Sequence, residues 1–184
     1  MKRILVLILV YLVVSSVFAF EAGTKNVGGR FEFESIEIDK NSAGTVSFTI
    51  YPMIGYFFIN NICADILLEY TSEDDKDYDK KTNDFGLGIG GRYFYKNIYG
   101  GAGFIMEFGN EEGTDNDGHD FEEETSANYL YFIAGYLYGI ADNVYLDLGI
   151  DYFMGIGKYG GDLKDLDNEA SGFGFYTGVD VYFK

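Results

Sequence analysis

Several residue types that carry chemistry or covalent stability are nearly absent from this sequence of 184 residues. It contains one cysteine, one histidine, one proline and no tryptophan. A single cysteine cannot form an intrachain disulfide, so the fold must be stable without one. A single histidine, His119, offers little basis for the paired nucleophile and base of acyl transfer. We therefore expect a protein that is not an enzyme, with no catalytic residue, no cofactor and no dedicated metal site.

Positive charge is also scarce. The chain has 13 Lys and Arg against 30 Asp and Glu, for a formal net charge of −17. A protein that binds nucleic acid needs a basic footprint for the phosphate backbone, and none is present here. The charge balance therefore excludes nucleic acid as a partner.

Long apolar runs are missing except at the start of the chain. Lys2 and Arg3 precede the apolar run Ile4 to Val14, which is far shorter than the roughly 20 residues of a membrane-spanning helix. Val17 and Ala19 occupy the −3 and −1 positions of a signal-peptidase site. We interpret residues 1–19 as a signal peptide, cleaved before Phe20, and residues 20–184 as a single exported domain.

The residues that are abundant favour β-structure. There are 17 Tyr, 17 Phe and 25 Gly, and the dominant pattern is alternation with period two, which is typical of strands. At the end of the chain one face carries Phe173, Phe175, Thr177, Val179, Val181 and Phe183, and the other carries Gly172, Gly174, Tyr176, Gly178, Asp180 and Tyr182. A helix would scatter both sets around its circumference.

On this basis the sequence predicts eight strands, near residues 27–39, 45–59, 62–72, 83–96, 98–109, 126–140, 144–157 and 170–183. Short polar turns at Asn60-Asn61, Lys96-Asn97 and Ala141–Asn143 alternate with mostly longer connections at 40–44, 73–82, 110–125 and 158–169. This asymmetry is how up-and-down outer-membrane barrels are built, with their short turns in the periplasm. The predicted fold class is all-β: an eight-stranded antiparallel up-and-down transmembrane β-barrel.

A soluble lipocalin-type barrel, whose apolar face points inward, is the alternative. Three features favour the membrane. The first is that the polar face is rich in glycine and carboxylates, which suits a packed lumen. The second is that aromatic residues crowd the strand ends, where an interfacial girdle is expected: Tyr56, Phe57 and Phe58, then Tyr93 to Tyr95, then Tyr136 and Tyr138. The third is the sequence of the C-terminus.

Residues 44–184 resemble the porin-family, OmpA/OmpX-type outer-membrane β-barrel domain. Four segments carry the resemblance: Tyr51 to Phe57 followed by Asn60-Asn61, Gly91 to Tyr95, Gly135 to Asn143, and Gly178 to Phe183. The resemblance implies a bacterial outer-membrane location, with outer-membrane lipid and the barrel-assembly machinery as partners. It also implies that Gly178, Val181 and Phe183 form the C-terminal assembly signal. Lys184 departs from the family pattern, which ends on the aromatic, and Pro52 predicts a bulge.

If the apolar face meets lipid, the alternation places charged residues in the lumen. We expect ion pairs toward the periplasmic end among Arg30, Asp65, Arg92, Asp147 and Asp180, and an upper group of carboxylates comprising Glu34, Glu69, Glu107 and Asp151. The favoured interpretation is a polar core that plugs the barrel. The alternative is a cation- or proton-selective crevice, because crowded carboxylates attract cations.

The segment 110–125 holds eight acidic residues and no Lys or Arg. Asp115, Asp117, Gly118 and Glu124 fit positions 3, 5, 6 and 12 of a calcium loop, but Gly113 stands where position 1 needs Asp. We favour a hydrated, self-repelling surface loop over a specific calcium site.

Eight strands enclose only enough room for side chains, so an open pore is not expected. The sequence therefore favours a structural or surface-interaction protein with a plugged lumen and acidic extracellular loops, acting as a monomer on a ligand that the sequence does not identify. The alternative is a porin-like transport protein that weakly conducts small solutes or cations.

Overall fold

The computed structural model describes residues 20–36, 45–75, 80–114, 120–161, 163 and 166–184. The predicted signal peptide, residues 1–19, lies outside them. The described chain forms β1 (Lys25–Ile36), β2 (Thr45–Ile59), β3 (Ile62–Asp75), β4 (Lys80–Tyr95), β5 (Ile98–Thr114), β6 (Asp120–Ala141), β7 (Val144–Gly155), β8 (Gly160–Gly161) and β9 (Ser171–Phe183).

Eight of these strands close into an antiparallel barrel. Consecutive strands pair from β1 to β7, β7 pairs with β9, and β9 returns to pair with β1, in the register Lys25↔Phe183. Every strand of the barrel therefore has two neighbours, and the sheet closes on itself. The eight-stranded up-and-down barrel predicted from the sequence is confirmed.

The alternation of the sequence becomes the inside and the outside of this barrel. In β4, Phe85, Leu87 and Ile89 are exposed, whereas Gly88 and Arg92 are buried. The other strands follow the same rule, so the large exposed side chains of the wall are mostly apolar. This is the arrangement of a barrel that meets lipid, and it is opposite to that of a soluble barrel. Among the described residues, no helix is long and apolar enough to cross a membrane.

Tight turns join the strands at one end. Asn61, Lys96 and Asn143 have φ of 65°, 56° and 62°, which is the left-handed backbone that two-residue hairpins require. Asparagine tolerates this conformation well. In the second turn the left-handed residue is Lys96 and not the neighbouring Asn97.

The other end of the barrel differs from the prediction. β3 and β4 remain paired up to Asp75↔Lys80, and β5 and β6 up to Thr114↔Asp120. The loops predicted at 73–82 and 110–125 are therefore largely two-stranded ribbons. Polar composition suggested loops, but the ladder of backbone hydrogen bonds continues past the apolar pattern. Asp115 and Asp117 of the partial calcium match lie outside the described residues.

Two local expectations were wrong. Pro52 causes no bulge, because the β2–β3 ladder leaves out Tyr51 and Pro52 and resumes in the same register. Phe57 and Phe94 do not belong to an outer girdle, because both are fully buried inside the barrel. Their neighbours Tyr56 and Phe58 do face outward. Successive residues of a strand point to opposite faces, so three consecutive aromatics cannot all face lipid.

The connection after β7 contains a strand that the sequence analysis missed. Gly160–Gly161 forms β8 and pairs with Thr125 and Ser126 of β6. β6 needs this cover because it extends well beyond β7, whose last partner is Tyr129. β8 thus covers part of an edge that would otherwise be free.

Candidate functional site

Glycines make room for the charged groups of the lumen. A Cβ atom at Gly28 would lie 1.7 Å from Oδ1 of Asp180, and one at Gly55 would lie 2.4 Å from Oδ1 of Asp65. Neither position can carry a larger side chain without displacing a carboxylate. These two inward glycines therefore leave the space that acids of other strands occupy, whereas others, such as Gly90 and Gly149, leave space for the tyrosines Tyr131 and Tyr176.

Arg92 is the centre of the lower lumen, toward the short turns. Its Nε and Nη2 donate to the two carboxylate oxygens of Asp65 at 2.8 and 2.9 Å, and its Nη1 donates to Asp180 at 3.2 Å. Nη2 also donates to Oδ1 of Asn26 at 3.1 Å. The charged groups involved are all buried. This fork geometry fixes both position and direction, as guanidinium–carboxylate pairs do.

Polar neighbours complete this cluster. The hydroxyl of Tyr182 donates to Oδ2 of Asp180 at 2.9 Å, and the thiol of Cys63 donates to Oδ1 of Asp65 at 3.2 Å. The rings of Phe94 and Tyr99 lie 5.2 and 5.3 Å from the guanidinium. A buried ion pair needs such additional hydrogen bonds to offset its desolvation.

Arg30 forms a second cluster with Asp147. Its Nε lies 3.4 Å from Oδ2 of Asp147, and its guanidinium lies 4.2 Å from the centre of the Tyr176 ring. The Tyr99 hydroxyl is 2.7 Å from Oδ1 of Asp147 and 2.6 Å from the Tyr176 hydroxyl. The two tyrosines therefore join the aromatic and the charged parts of the lumen.

Aromatic rings close the end with the short turns. Phe20 stacks on Tyr182 at 4.1 Å between ring centres and contacts Phe57 and Phe94 at 4.9 and 5.2 Å. The backbone around Phe20 is held by Asn61, whose N–H donates to the Phe20 carbonyl at 2.9 Å. The lower lumen is thus packed from this aromatic floor up to the arginines.

Above the arginines lies a cavity of about 420 Å³. Five half-buried carboxylates line it, together with one cation, Arg30. Apart from Thr71 and Gly174, the rest of its wall is apolar or aromatic. The acids are Glu32, Glu69, Asp84, Glu107 and Asp151, and the apolar and aromatic residues include Leu67, Ile105, Ile133, Tyr129, Tyr131, Phe153 and Phe173.

No family model matches the sequence, and a comparison with curated proteins finds no match. Among solved structures, the chain is similar to Ail, the attachment invasion locus protein of Yersinia pestis, at 15% identity with a TM-score of 0.54, covering 88% of this chain and 99% of Ail. It is also similar to the β-domain of the Bordetella autotransporter BrkA, at 12% identity with a TM-score of 0.51, covering 88% of this chain and 80% of that domain. Neisserial surface protein A matches at 20% identity with a TM-score of 0.48, covering 87% of this chain and 96% of that protein.

The chain has the fold of the small eight-stranded outer-membrane β-barrels. At these identities the likeness concerns the fold alone.

Within this barrel, the structure places the five predicted ion-pair residues in the two clusters described above. Of the upper carboxylates, Glu69, Glu107 and Asp151 line the cavity, whereas the side chain of Glu34 lies outside the described part of the structure. Asp84 was missed, although it alternates in phase with Arg92 and could have been found from that phase. Asn26, Tyr99, Tyr176 and Tyr182 were also missed, because they are not charged.

The predicted assembly residues lie in the last strand of the barrel. Val181 and Phe183 face outward and pair with Val27 and Lys25. Gly178 faces inward, where a Cβ would lie 2.3 Å from the carbonyl oxygen of Gly29. Lys184 forms an exposed ion pair with Glu21, which lowers the pKa of that carboxyl group.

The ribbon at the far end is acidic on both strands. Glu111 pairs with Glu123, and Glu112 pairs with Glu122, an arrangement that places like charges opposite each other. Lys80 of the neighbouring ribbon lies 2.8 Å from Glu111. Over the described ranges, no group of three or more His, Cys, Asp or Glu side chains is placed to hold a metal ion.

Proposed function

We propose that this protein is a closed barrel of the bacterial outer membrane that anchors acidic β-ribbons at the cell surface, where they contact other molecules. The observation that carries this proposal is the Arg92 cluster. Arg92 connects Asp65 on β3 with Asp180 on β9 across the lumen, and all three side chains are buried. A barrel whose lumen is filled in this way serves as an anchor. The β-ribbons that it carries then make the contacts with other molecules.

Conduction of cations is the less favoured function. The acids of the upper cavity would attract cations, as rings of carboxylates do in cation channels. However, the route to the other end runs through the Arg30 and Arg92 clusters and then the ring of Phe20. A hydrated ion would have to displace buried ion pairs, which costs several kcal/mol per charge by general estimates.

The ribbons support a role in surface contacts. β5 and β6 stay paired up to Thr114↔Asp120 and carry the opposed Glu111↔Glu123 and Glu112↔Glu122 pairs. Their negative charge fits a partner that offers cationic groups, and it raises the association rate with such partners.

The proposal includes how the protein reaches the outer membrane. Residues 1–19 direct export and are removed before Phe20. The barrel-assembly machinery then recognises Gly178, Val181 and Phe183, and the apolar exterior enters outer-membrane lipid. The barrel acts as a monomer, because β1 and β9 of the same chain pair with each other and close the sheet.

Topology on intact cells tests the proposal. A short epitope inserted between Asp117 and Gly118 is expected to bind antibody on intact cells. The matched control carries the same epitope between Asp142 and Asn143, in a short turn at the opposite end. That control should bind antibody only after the outer membrane is permeabilised. The reverse pattern, or labelling of neither insertion on intact cells, contradicts surface display.

A further inference from the structure

The barrel wall is incompletely paired where its first and last strands meet. Within the described residues, β1 pairs with β9 only from Lys25↔Phe183 to Phe31↔Thr177. β1 nevertheless continues beside β2 up to Ile36↔Thr45, and β9 continues beside β7 up to Met154↔Ser171. The wall therefore splits above Phe31 and Thr177, and we call this split the seam.

The seam lies within the apolar band of the exterior. Phe175 and Phe173 of β9 are opposite Ile150 and Tyr152 of β7, which also face outward. Phe173 is 60% exposed and Phe175 is 77% exposed, the latter more than any other large apolar side chain described. The two rings contact each other edge to face at 5.4 Å. The split is thus bordered by an aromatic surface that faces lipid.

The upper cavity reaches the seam from the inside. Arg30 and Glu32 of β1 and Phe173 and Gly174 of β9 all line the cavity. Phe173 is an outward residue of its strand, so the cavity reaches the wall itself beside the seam. Gly174 leaves space there for Asp151, whose Oδ1 would lie 2.6 Å from a Cβ at that position.

An unpaired strand edge at membrane depth has a physical cost. Backbone N–H and C=O groups that face hydrocarbon without partners are strongly unfavourable, and they are tolerated where they line a polar cavity. The acid-lined cavity behind the seam provides that polar environment. The seam and the cavity therefore form one feature, open to lipid on one side and polar on the other.

We propose that this feature binds a single-chain amphiphile with a cationic head group, such as a long-chain alkylammonium. The head lies in the cavity beside Glu32 and Asp151, where five carboxylates exceed the single positive charge of Arg30, itself paired with Asp147. The chain leaves through the seam across Phe173. Apolar cavity walls such as Leu67 and Ile105 accommodate the first methylene groups. Charge complementarity selects the head, and the opening toward lipid selects the chain.

The absence of native tryptophan makes the test direct. A Tyr129→Trp variant places one fluorophore on the cavity wall. In neutral phosphatidylcholine vesicles, a dodecylammonium brominated near its head is expected to quench this fluorescence saturably. A brominated dodecyl phosphate should bind at least tenfold more weakly. Methylammonium, measured by its displacement of the brominated dodecylammonium, should also bind at least tenfold more weakly. Equal quenching by the phosphate would overturn the cationic head, and equal affinity for methylammonium would overturn the role of the seam.

Variants in the same background locate the site. Glu32→Gln with Asp151→Asn should weaken dodecylammonium binding at least tenfold. Glu112→Gln with Glu169→Gln, which removes the same charge from exposed positions, should leave binding unchanged. Phe173→Ala should weaken the binding of dodecylammonium, whereas the affinity for methylammonium should stay unchanged. Equal losses in the first two double variants would reduce the effect to net charge and overturn the proposal.

A second measurement does not depend on the tryptophan. Unmodified protein in the same vesicles should keep its folded gel mobility to a higher temperature with dodecylammonium, because a ligand stabilises the state that binds it. No shift with dodecylammonium, or the same shift with dodecyl phosphate, contradicts the proposal.

Discussion

Arg92 and Asp65 form a two-bond fork inside the barrel, with N–O distances of 2.8 and 2.9 Å. The residues are not directly opposite in the β3–β4 ladder, where Asp65 pairs with Gly90 and Arg92 with Cys63. The arginine side chain therefore crosses diagonally inside the barrel to reach the acid. Because both side chains are buried, each depends on the other for its compensating charge.

We predict that Arg92→Met strongly destabilises the barrel, by about 3–5 kcal/mol, because it leaves Asp65 and Asp180 buried without their cation. Adding Asp65→Asn should recover part of this loss, since one stranded charge is removed. Urea unfolding in detergent or vesicles, followed on gels without boiling, measures the change. Lys158→Met, at an exposed position, is the control. Unfolding of Arg92→Met at the wild-type urea concentration would contradict a buried ion pair.

Two adjacent glycines provide a matched pair for the packing of the lumen. Gly28→Ala places a methyl group against Oδ1 of Asp180 and 2.9 Å from the Val179 carbonyl oxygen, whereas Gly29→Ala meets nothing closer than 3.5 Å. We expect Gly28→Ala to cost about 1–3 kcal/mol, the usual range for overpacking, and Gly29→Ala to change stability little. Urea midpoints of the two variants measure the difference. Equal midpoints would show that Asp180 moves aside freely.

The sequence predicted much of this architecture because its main signal is local. Period two identifies the strands and their faces, and the phase of β4 alone places Arg92 inside. The phase cannot give the stagger of the barrel, so the contact from Arg92 to Asp180, 88 residues away, could not be deduced. The ribbons were missed because their residues are polar on both faces. The seam was missed because it depends on where two distant strands stop pairing.

The ring of Phe20 is expected to contribute to stability. Phe20 is half-buried and contacts Tyr182, Phe57 and Phe94. Phe20→Ala should cost roughly 1–3 kcal/mol, below the 3–5 kcal/mol typical of a fully buried phenylalanine. Glu21→Ala, at an exposed position that contacts only Lys184 among the pairs described, should cost much less. The urea midpoints of the two variants measure the difference. Equal midpoints would show that the ring of Phe20 does not pack against these three rings.

The C-terminal strand is expected to control assembly through Phe183. Phe183→Asp should lower the amount of folded protein in the outer membrane several-fold, because it puts a charge at an outward position where the proposed assembly signal has its aromatic. Deleting Lys184 should leave that amount unchanged, since its exposed ion pair with Glu21 contributes little. Quantified outer-membrane fractions check both variants. If deletion of Lys184 lowers the yield as much as Phe183→Asp, the signal has been assigned to the wrong residue.

The electrical conductance of the barrel tests directly whether its lumen is closed. Folded protein, verified by its shifted gel mobility before boiling, is reconstituted into a planar lipid bilayer at high salt. The buried clusters of Arg92 and Arg30, with the aromatic floor at Phe20, predict no current steps above those of the bare bilayer. Stable, ohmic steps that scale with protein concentration would contradict a closed barrel and favour a transport function.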